Sequence, residues 1–377
     1  MKWVALAVLC TAICPAQIIV SENRLRGAAA WFDPKPGEST LRCVITPSHA
    51  VLNYGFRYQA GFRAEVAANQ FQGDGHGWTV LTRITPRAEG ARPVYLRSFM
   101  RLPHVPKTNA QLFFGGSYLL GEGSYDINWV LRDDQSRVCR KNWHIEVHRG
   151  RGEHDVKVAM PANTVWDITL RAARLIPPTL DDTRALRLTI LLNAAPLFQH
   201  RMRLRGGDIG TLLSAVDSLL ERVPTRNVRL VVFNLEQQRE LYRNANFRLS
   251  NMLEVVDAMN AIELGTVDYT VLQNRKGHVD LVADLVNQEM QSPDPSDVVL
   301  VVGPMSRFFD RVPAELLHAR SGPAPRFLNL RIIPIVPEPA SFPDVIHNAI
   351  AHVGGKTVSV HSPGEFAKAI ARLEEGK

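Results

Sequence analysis

Cysteine is scarce in this chain, and the common catalytic signatures are missing from it. Four cysteines in 377 residues are too few for a disulfide-dense scaffold, and their positions, 10, 14, 43 and 139, do not give the paired Cys-x-x-Cys clusters of structural zinc sites. There is no Gly-x-Ser-x-Gly elbow, no His-Glu-x-x-His helix and no cysteine in a reactive setting, which removes the best-known hydrolase signatures. RNA- and DNA-reading motifs are absent as well. The formal charge of +7 and a pI near 9.4 therefore read as a surface property, because only Arg137, Arg140, Lys141, Arg149 and Arg151 form a dense basic group. Past the first residues no apolar run approaches the roughly 18 that a membrane helix needs.

What is present begins with an address. Lys2 precedes an apolar segment, Trp3 to Ile13, followed by Cys14-Pro15-Ala16-Gln17. A short positive region, an apolar stretch of about 7–15 residues and a small residue at the cut make a secretory signal peptide, expected over 1–16. The protein is then expected to be exported, periplasmic or secreted, with Cys43 and Cys139 left in the mature chain. In an oxidising compartment such a pair is expected to form a disulfide.

Two domains are expected: an all-β, sandwich-like domain over 17–175 and an α/β domain over 183–377, with the connector Leu175–Asp182 between them. In Tyr54–Val66 the even positions are apolar or aromatic and the odd ones polar or Gly, the period-two pattern of a strand with one buried face. Tyr125, Ile127, Trp129 and Leu131 repeat it, Asp133–Ser136 turns the chain, and Trp143, Ile145 and Val147 return. Cys43 and Cys139 fall in register with the inward faces of their strands, which supports the bridge. His144, Glu146 and His148 share the outward face of one strand, a pattern that reads as a polar face rather than a metal site. Gly73–Gly77 and the glycines at 115, 116, 121 and 123 read as hairpin turns, and the tryptophans at 129 and 143 as core.

The second half alternates strand and helix. Ala185–Leu197 opens it as a continuous apolar run, the pattern of a buried central strand in a parallel sheet. Asp208 is placed to cap the helix that carries Leu212, Val216 and Leu219. Strands over Val228–Phe233, Val298–Val302, Leu330–Val336 and Thr357–Val360 alternate with helices over Ser250–Leu264 and His278–Met290, one from Pro343, and one that Ser362-Pro-Gly-Glu365 opens with a capping box. This alternation implies right-handed crossovers and a mostly parallel, Rossmann-type sheet.

The run Ala185–Leu197, Arg229-Leu-Val-Val-Phe-Asn234, Gly265-Thr266, Asp297–Gly303 and the ending Ile346–His361 with Glu365–Ile370 together resemble a von Willebrand factor type A domain. With the β-rich leader and the export signal, the chain is similar to bacterial proteins described as carrying a VWFA-related domain. The resemblance implies binding of a protein partner, in that family commonly through a divalent cation at the carboxyl end of the sheet. The ligand positions fall on Asn193, Ala195, Leu197 and Thr266, and the late aspartate on Val302 or Gly303. One amide and one hydroxyl cannot hold a hard cation that wants several oxygens with carboxylates among them. The metal site therefore reads as degenerate, with no cofactor. The surface candidate is Asn234-Leu-Glu-Gln-Gln-Arg239, in particular Asn234, Glu236, Gln237, Gln238 and Arg239. The expected function is an exported, non-enzymatic binding protein whose partner is another exported or cell-envelope protein, with no nucleic acid and no transmembrane segment in the mature chain. The alternative is a secreted hydrolase or carbohydrate-binding protein that uses the β-rich domain.

Overall fold

The computed structural model describes residues 17–25, 27–168, 185–201, 203–262, 271, 273–320, 322–333 and 343–374. Two compact units divide the chain, Met1–Leu52 with Arg57–Leu170 and Asn53–Phe56 with Arg171–Lys377. The expected leader over 1–16, the connector Leu175–Asp182 and Thr266 lie outside the described residues.

The first unit holds β1 (Ile18–Val20), β2 (Cys43–Leu52), β3 (Tyr58–Ala67), β4 (Gly77–Pro86), β5 (Val94–Arg101), β6 (Gln111–Leu120), β7 (Gly123–Asp133), β8 (Val138–Val147) and β9 (Val165–Asp167). They form two sheets, ordered β1-β5-β4-β7-β8 and β2-β3-β6-β9, with every pairing antiparallel. The period-two pattern does what it predicts. Tyr58, Ala60, Phe62, Ala64 and Val66 of β3 are buried, as are Tyr125, Ile127, Trp129 and Leu131 of β7. Side chains from both sheets meet in one core, where Trp129 lies edge-on to Phe62 with ring centroids 5.3 Å apart. Each such large apolar side chain contributes roughly 1.5–3 kcal/mol through burial alone. Cys43 and Cys139 are joined in a disulfide, which ties β2 to β8. A second, smaller core covers part of the outer face of the five-stranded sheet, where Leu25 and Phe32 pack on Leu81, Tyr95, Val130 and Val138.

Two expectations change here. The strand expected from Tyr54 begins at Tyr58, because Asn53 turns the chain: its carbonyl accepts the Phe56 N–H and its side chain the Gly55 N–H. Phe56 takes φ of 54°, which no strand residue adopts. Gly115 and Gly116 lie inside β6 and make no turn. Glycine on both strands lets β3 and β6 approach closely, since a Cβ on Gly61 would stand 2.1 Å from the Gly116 carbonyl oxygen and one on Gly115 2.9 Å from that of Phe62. Gly73 and Gly75 lie before β4 at positive φ, Gly121 lies in the connection from β6 to β7, and Gly123 opens β7 at φ of 146°.

The second unit holds β10 (Leu186–Asn193), α1 (Gly206–Arg222), β11 (Thr225–Asn234), β12 (Arg239–Asn244), α2 (Met252–Asn260), α3 (Gly277–Gln291), β13 (Val298–Pro304), β14 (Arg326–Ile332), α4 (Val345–His352), β15 (Lys356–Val360) and α5 (Pro363–Glu374). One six-stranded sheet runs β12-β11-β10-β13-β14-β15. All pairs are parallel except β11 with β12. The apolar run at 186–193 is the central strand expected of it, with Leu188 and Thr189–Asn193 all buried. One face of the sheet, through Leu191, Val231, Val299 and Val301, shares a core with α3 and α4. The residues between them, Ile190, Leu192, Leu230, Val232, Leu300 and Val302, are buried too. Both faces being covered is what lets the strands be apolar throughout.

Asp208 does not cap α1 as its first flanking residue. Arg205 holds that position, and Asp208 sits three residues on, its Oδ2 accepting the Arg205 N–H at 2.9 Å. The helix expected over Ser250–Leu264 is shorter, Met252–Asn260, and follows a 3-10 turn at Leu249–Asn251. The strand expected at Leu330–Val336 sits earlier, over Arg326–Ile332, and pairs with β13 and β15. The polar strand β12 was not expected at all: Arg239-Glu-Leu-Tyr-Arg-Asn244 has little apolar signal because it is an edge strand.

Candidate functional site

In an open parallel sheet, ligands meet the carboxyl ends of the strands at the point where the strand order reverses. Here that point lies between β10 and β13, the neighbours whose connections leave in opposite directions. Asn193 ends β10 and is 1% exposed; its Nδ2 donates to the Pro304 carbonyl at 3.2 Å, and its Oδ1 has no hydrogen-bond partner. Beside it Gly303 takes φ of 151°, and a Cβ there would stand 2.8 Å from both Cβ and O of Asn193. The crevice is lined by Asn193, Ala195, Gln199, Glu236, Ser306 and Arg307 and encloses about 10 Å³. That is about one water at most, far below the several hundred Å³ of a small-molecule site.

Arg307 stands in its wall. Its Nη2 donates to the carbonyls of Gln199 (2.5 Å) and Arg201 (2.7 Å), and its Nε stands 3.1 Å from Glu236 Oε1. Burial pushes the Glu236 carboxyl above its usual range, with Arg307 pulling the other way. Two further carboxylates, Asp344 and Asp208, are held by backbone N–H groups, Asp208 by Arg201 as well. Asp344 caps α4 by accepting the His347 N–H at 2.8 Å on Oδ1 and takes the Ser306 N–H at 2.6 Å on Oδ2. Burial raises its pKa, against those two donors and Arg331. Asp208 accepts from Arg205 N, Leu197 N (3.4 Å) and Arg201 Nη1 (3.3 Å). Among the described residues no three His, Cys, Asp or Glu gather as a metal site. Of the positions at which the resemblance places cation ligands, Asn193 and Ala195 line the crevice and Leu197 offers Asp208 its backbone N–H.

The stretch Asn234–Arg239 is the tight connection of the β11–β12 hairpin, with Gln238 at φ of 51°. Much of it is structural. Asn234 is fully buried, donates to the Ala194 carbonyl at 2.6 Å and accepts the Gln237 N–H at 2.8 Å. Glu236 faces Arg307, and Gln238 Nε2 donates to the Asn274 carbonyl at 2.9 Å. Arg239 is exposed and Gln237 half-buried, with Gln237 Oε1 accepting from Arg239 at 3.2 Å.

A second feature was not legible residue by residue. On the outer face of the five-stranded sheet, β4, β7 and β8 align three rows of polar side chains: Arg83, Asn128 and Asn142; Thr85, Asp126 and His144; Arg87, Ser124 and Glu146. Arg83 Nε donates to Asn128 Oδ1 and Asn128 Nδ2 to Asn142 Oδ1, both at 3.0 Å. Arg87 holds Asp126 with two bonds of 2.8 Å, which together with His144 keep that carboxyl below its usual range. An open groove of about 530 Å³ runs over Arg83, Thr85, Asp126, Asn128 and Asn142. His144, Glu146 and His148 are all exposed here, as expected of a polar strand face. The other two columns become visible only when the β7–β8 register is set.

No protein-family model matches the chain, and no curated protein matches it. Among solved structures, a superoxide reductase (neelaredoxin) from Ignicoccus hospitalis is similar over 29% of this chain and 82% of its own, at 14% identity and a TM-score of 0.21. A putative ApaA protein from Bordetella pertussis is similar over 30% of this chain and 99% of its own, at 9% identity and a TM-score of 0.21. A calcium-binding mutant of β-glucuronidase 2 from Bacteroides uniformis covers 70% of this chain with 34% of its own, at 8% identity and a TM-score of 0.19. Likenesses this weak carry no argument, and none of the three is a von Willebrand factor type A protein.

Proposed function

We propose that the chain is an exported binding protein with a sandwich-like β domain and a von Willebrand factor type A-like α/β domain. In this reading it engages another exported or cell-envelope protein at the carboxyl edge of the six-stranded sheet, without a cation. The single observation that carries the reading is the small size of the crevice, about 10 Å³, with Arg307 in its wall tied to two backbone carbonyls. A site with no interior volume can only be met from outside, over a surface, and that is how proteins rather than small molecules are bound. The commitment of Asp208 and Asp344 to backbone N–H groups supports cation independence. The Cys43–Cys139 bond supports an oxidising compartment, and no helix among the described residues is long and apolar enough to cross a membrane. Arg239 and Gln237 are the hairpin positions that such a partner would touch.

The test is capture from cell-envelope extract on tagged full-length chain, with and without EDTA. One saturable protein partner, retained in EDTA and weakened at least tenfold by R239E, is the expected result. A partner lost on chelation would overturn the cation-free reading, and saturable capture of no protein would overturn protein binding. A second reading, carbohydrate binding by the β-rich unit, draws on the amide-lined groove of about 530 Å³. Calorimetric titration with neutral oligosaccharides checks it, binding that N142A abolishes being the supporting outcome and no heat the refuting one.

A further inference from the structure

The rows on the sheet face place a hydroxyl, an imidazole and a carboxylate in one hydrogen-bonded chain. Ser124 and Asp126 are two apart on β7 and share a face, and His144 stands opposite Asp126 on β8. Ser124 Oγ lies 3.1 Å from His144 Nε2, and His144 Nδ1 lies 3.2 Å from Asp126 Oδ1. The direction of the protons follows from the groups themselves. Glu146 Oε1 stands 3.7 Å from Nε2, beyond hydrogen-bond reach, so the bonded carboxylate is Asp126; it only accepts, which places the hydrogen on Nδ1 and leaves Nε2 to accept from the serine hydroxyl. That is the polarity by which a histidine serves as base toward a serine nucleophile while a carboxylate fixes its tautomer. Arg87 holds Asp126 through Nε and Nη2 and stands opposite Ser124, whose carbonyl accepts its backbone N–H at 2.8 Å. The site is open to solvent, with His144 35% and Asp126 44% exposed, and Asp126 also lines the groove.

We infer that Ser124 is an acyl-accepting nucleophile, with His144 as its base, Asp126 as a positioning residue and a carboxylic ester as the substrate class. This activity is separate from partner binding at the six-stranded sheet, and either stands if the other fails. Ser124 Oγ bonds to the ester carbonyl carbon as its proton passes to His144 Nε2. The third guanidinium nitrogen of Arg87, Nη1, meets the oxyanion. The tetrahedral carbon expels the alkoxide, which takes the proton from His144 and leaves as the alcohol. Water then attacks acyl-Ser124, gives one proton to His144 and releases the carboxylic acid, while Ser124 Oγ recovers the proton. The net reaction is ester plus water to acid plus alcohol.

The test is intact mass spectrometry of the full chain with an alkyl fluorophosphonate, followed by peptide mapping, and the kinetics of acetyl transfer from p-nitrophenyl acetate. One phosphonyl adduct on Ser124 is expected, absent in S124A and slowed at least 100-fold in H144A. In D126N the same slowing is expected, with partial recovery in D126E, while the melting temperatures of S124A and H144A match the unaltered protein. H144Q, which keeps a polar side chain on the sheet, is measured beside H144A so that a folding defect in one does not decide the matter. Modification elsewhere, or labelling of Ser124 that neither His144 variant slows, would overturn the inference.

Discussion

Asp344 offers the sharpest test of how the carboxyl edge of the six-stranded sheet is held. It is 1% exposed, and its two oxygens do separate jobs, one capping α4 at His347 and the other holding the Ser306 N–H. Replacing it with alanine removes a helix cap, at about 0.5–2 kcal/mol. It also leaves a buried N–H unpaired, at about 1–3 kcal/mol. Burial of the charge itself is unfavourable, as its raised pKa reports, so part of this loss is offset and the net expected for D344A is about 2–3 kcal/mol. D344N should recover less than half, because an amide presents one acceptor and turns its NH₂ against the second N–H. With urea slopes of roughly 2–3 kcal/mol per molar, the D344A midpoint falls by about 1 M. Tryptophan fluorescence is the wrong probe, since all six tryptophans lie at or before Trp166. The described α-helices all belong to the second unit, so far-UV circular dichroism reports it. A D344A midpoint within about 0.2 M of the unaltered protein, or a D344N equal to it, would refute the reasoning.

Three further outcomes follow from the same kind of bookkeeping. W129A opens a cavity at a fully buried, edge-packed ring and should cost about 3–5 kcal/mol, read from the denaturant midpoint. C139S removes a link closing 96 residues and should cost about 4–5 kcal/mol on chain-entropy grounds; reduction of the unaltered protein should lower the melting temperature to that of C139S. Glu236 has a carboxyl raised in the fold by burial, so the folded state binds its proton more readily than the unfolded one. Its contribution to stability therefore grows as pH falls through the raised value toward the ordinary one of about 4.3. The stability of the unaltered protein relative to E236Q should rise on acidification in that window, and denaturant midpoints across it that keep a constant difference would contradict the assignment.

The fold was readable where one face decides the pattern. Tyr125, Ile127, Trp129 and Leu131 could only be a half-buried strand, and Leu188–Asn193 a central one, because alternation and continuity of apolar residues are direct traces of one or two covered faces. Arg239–Asn244 escaped because an edge strand leaves polar side chains in water and is defined by pairing alone. Asn234 was read as surface because an amide after an apolar strand usually is. Only the approach of β10, which presents the Ala194 carbonyl, makes it a buried tie. Asp208 was placed in the right helix turn but at the wrong capping position, since sequence spacing does not say where the backbone leaves extended geometry. The Ser124–His144–Asp126 chain was half visible. Its members are ordinary outward residues of two strands, and what joins them is the register fixed by the turn after Asp133. Sequence reasoning can number the faces of a strand, but not which residue stands across from which until that turn is known.

The covalent tie between β2 and β8 also has a consequence in time. Cys43 and Cys139 are 96 residues apart, which at synthesis rates of about 5–20 residues per second is roughly 5–20 s of chain emergence. Throughout that interval β2 has appeared and the strand it is tied to has not. The other thiols of the chain, Cys10 and Cys14, are both already there. Early oxidation would therefore trap Cys43 against the apolar run around Cys10 and Cys14, far from the edge it belongs beside. A chain that loses residues 1–16 before its strands close would shed both wrong partners at once, leaving Cys43 only one thiol to find.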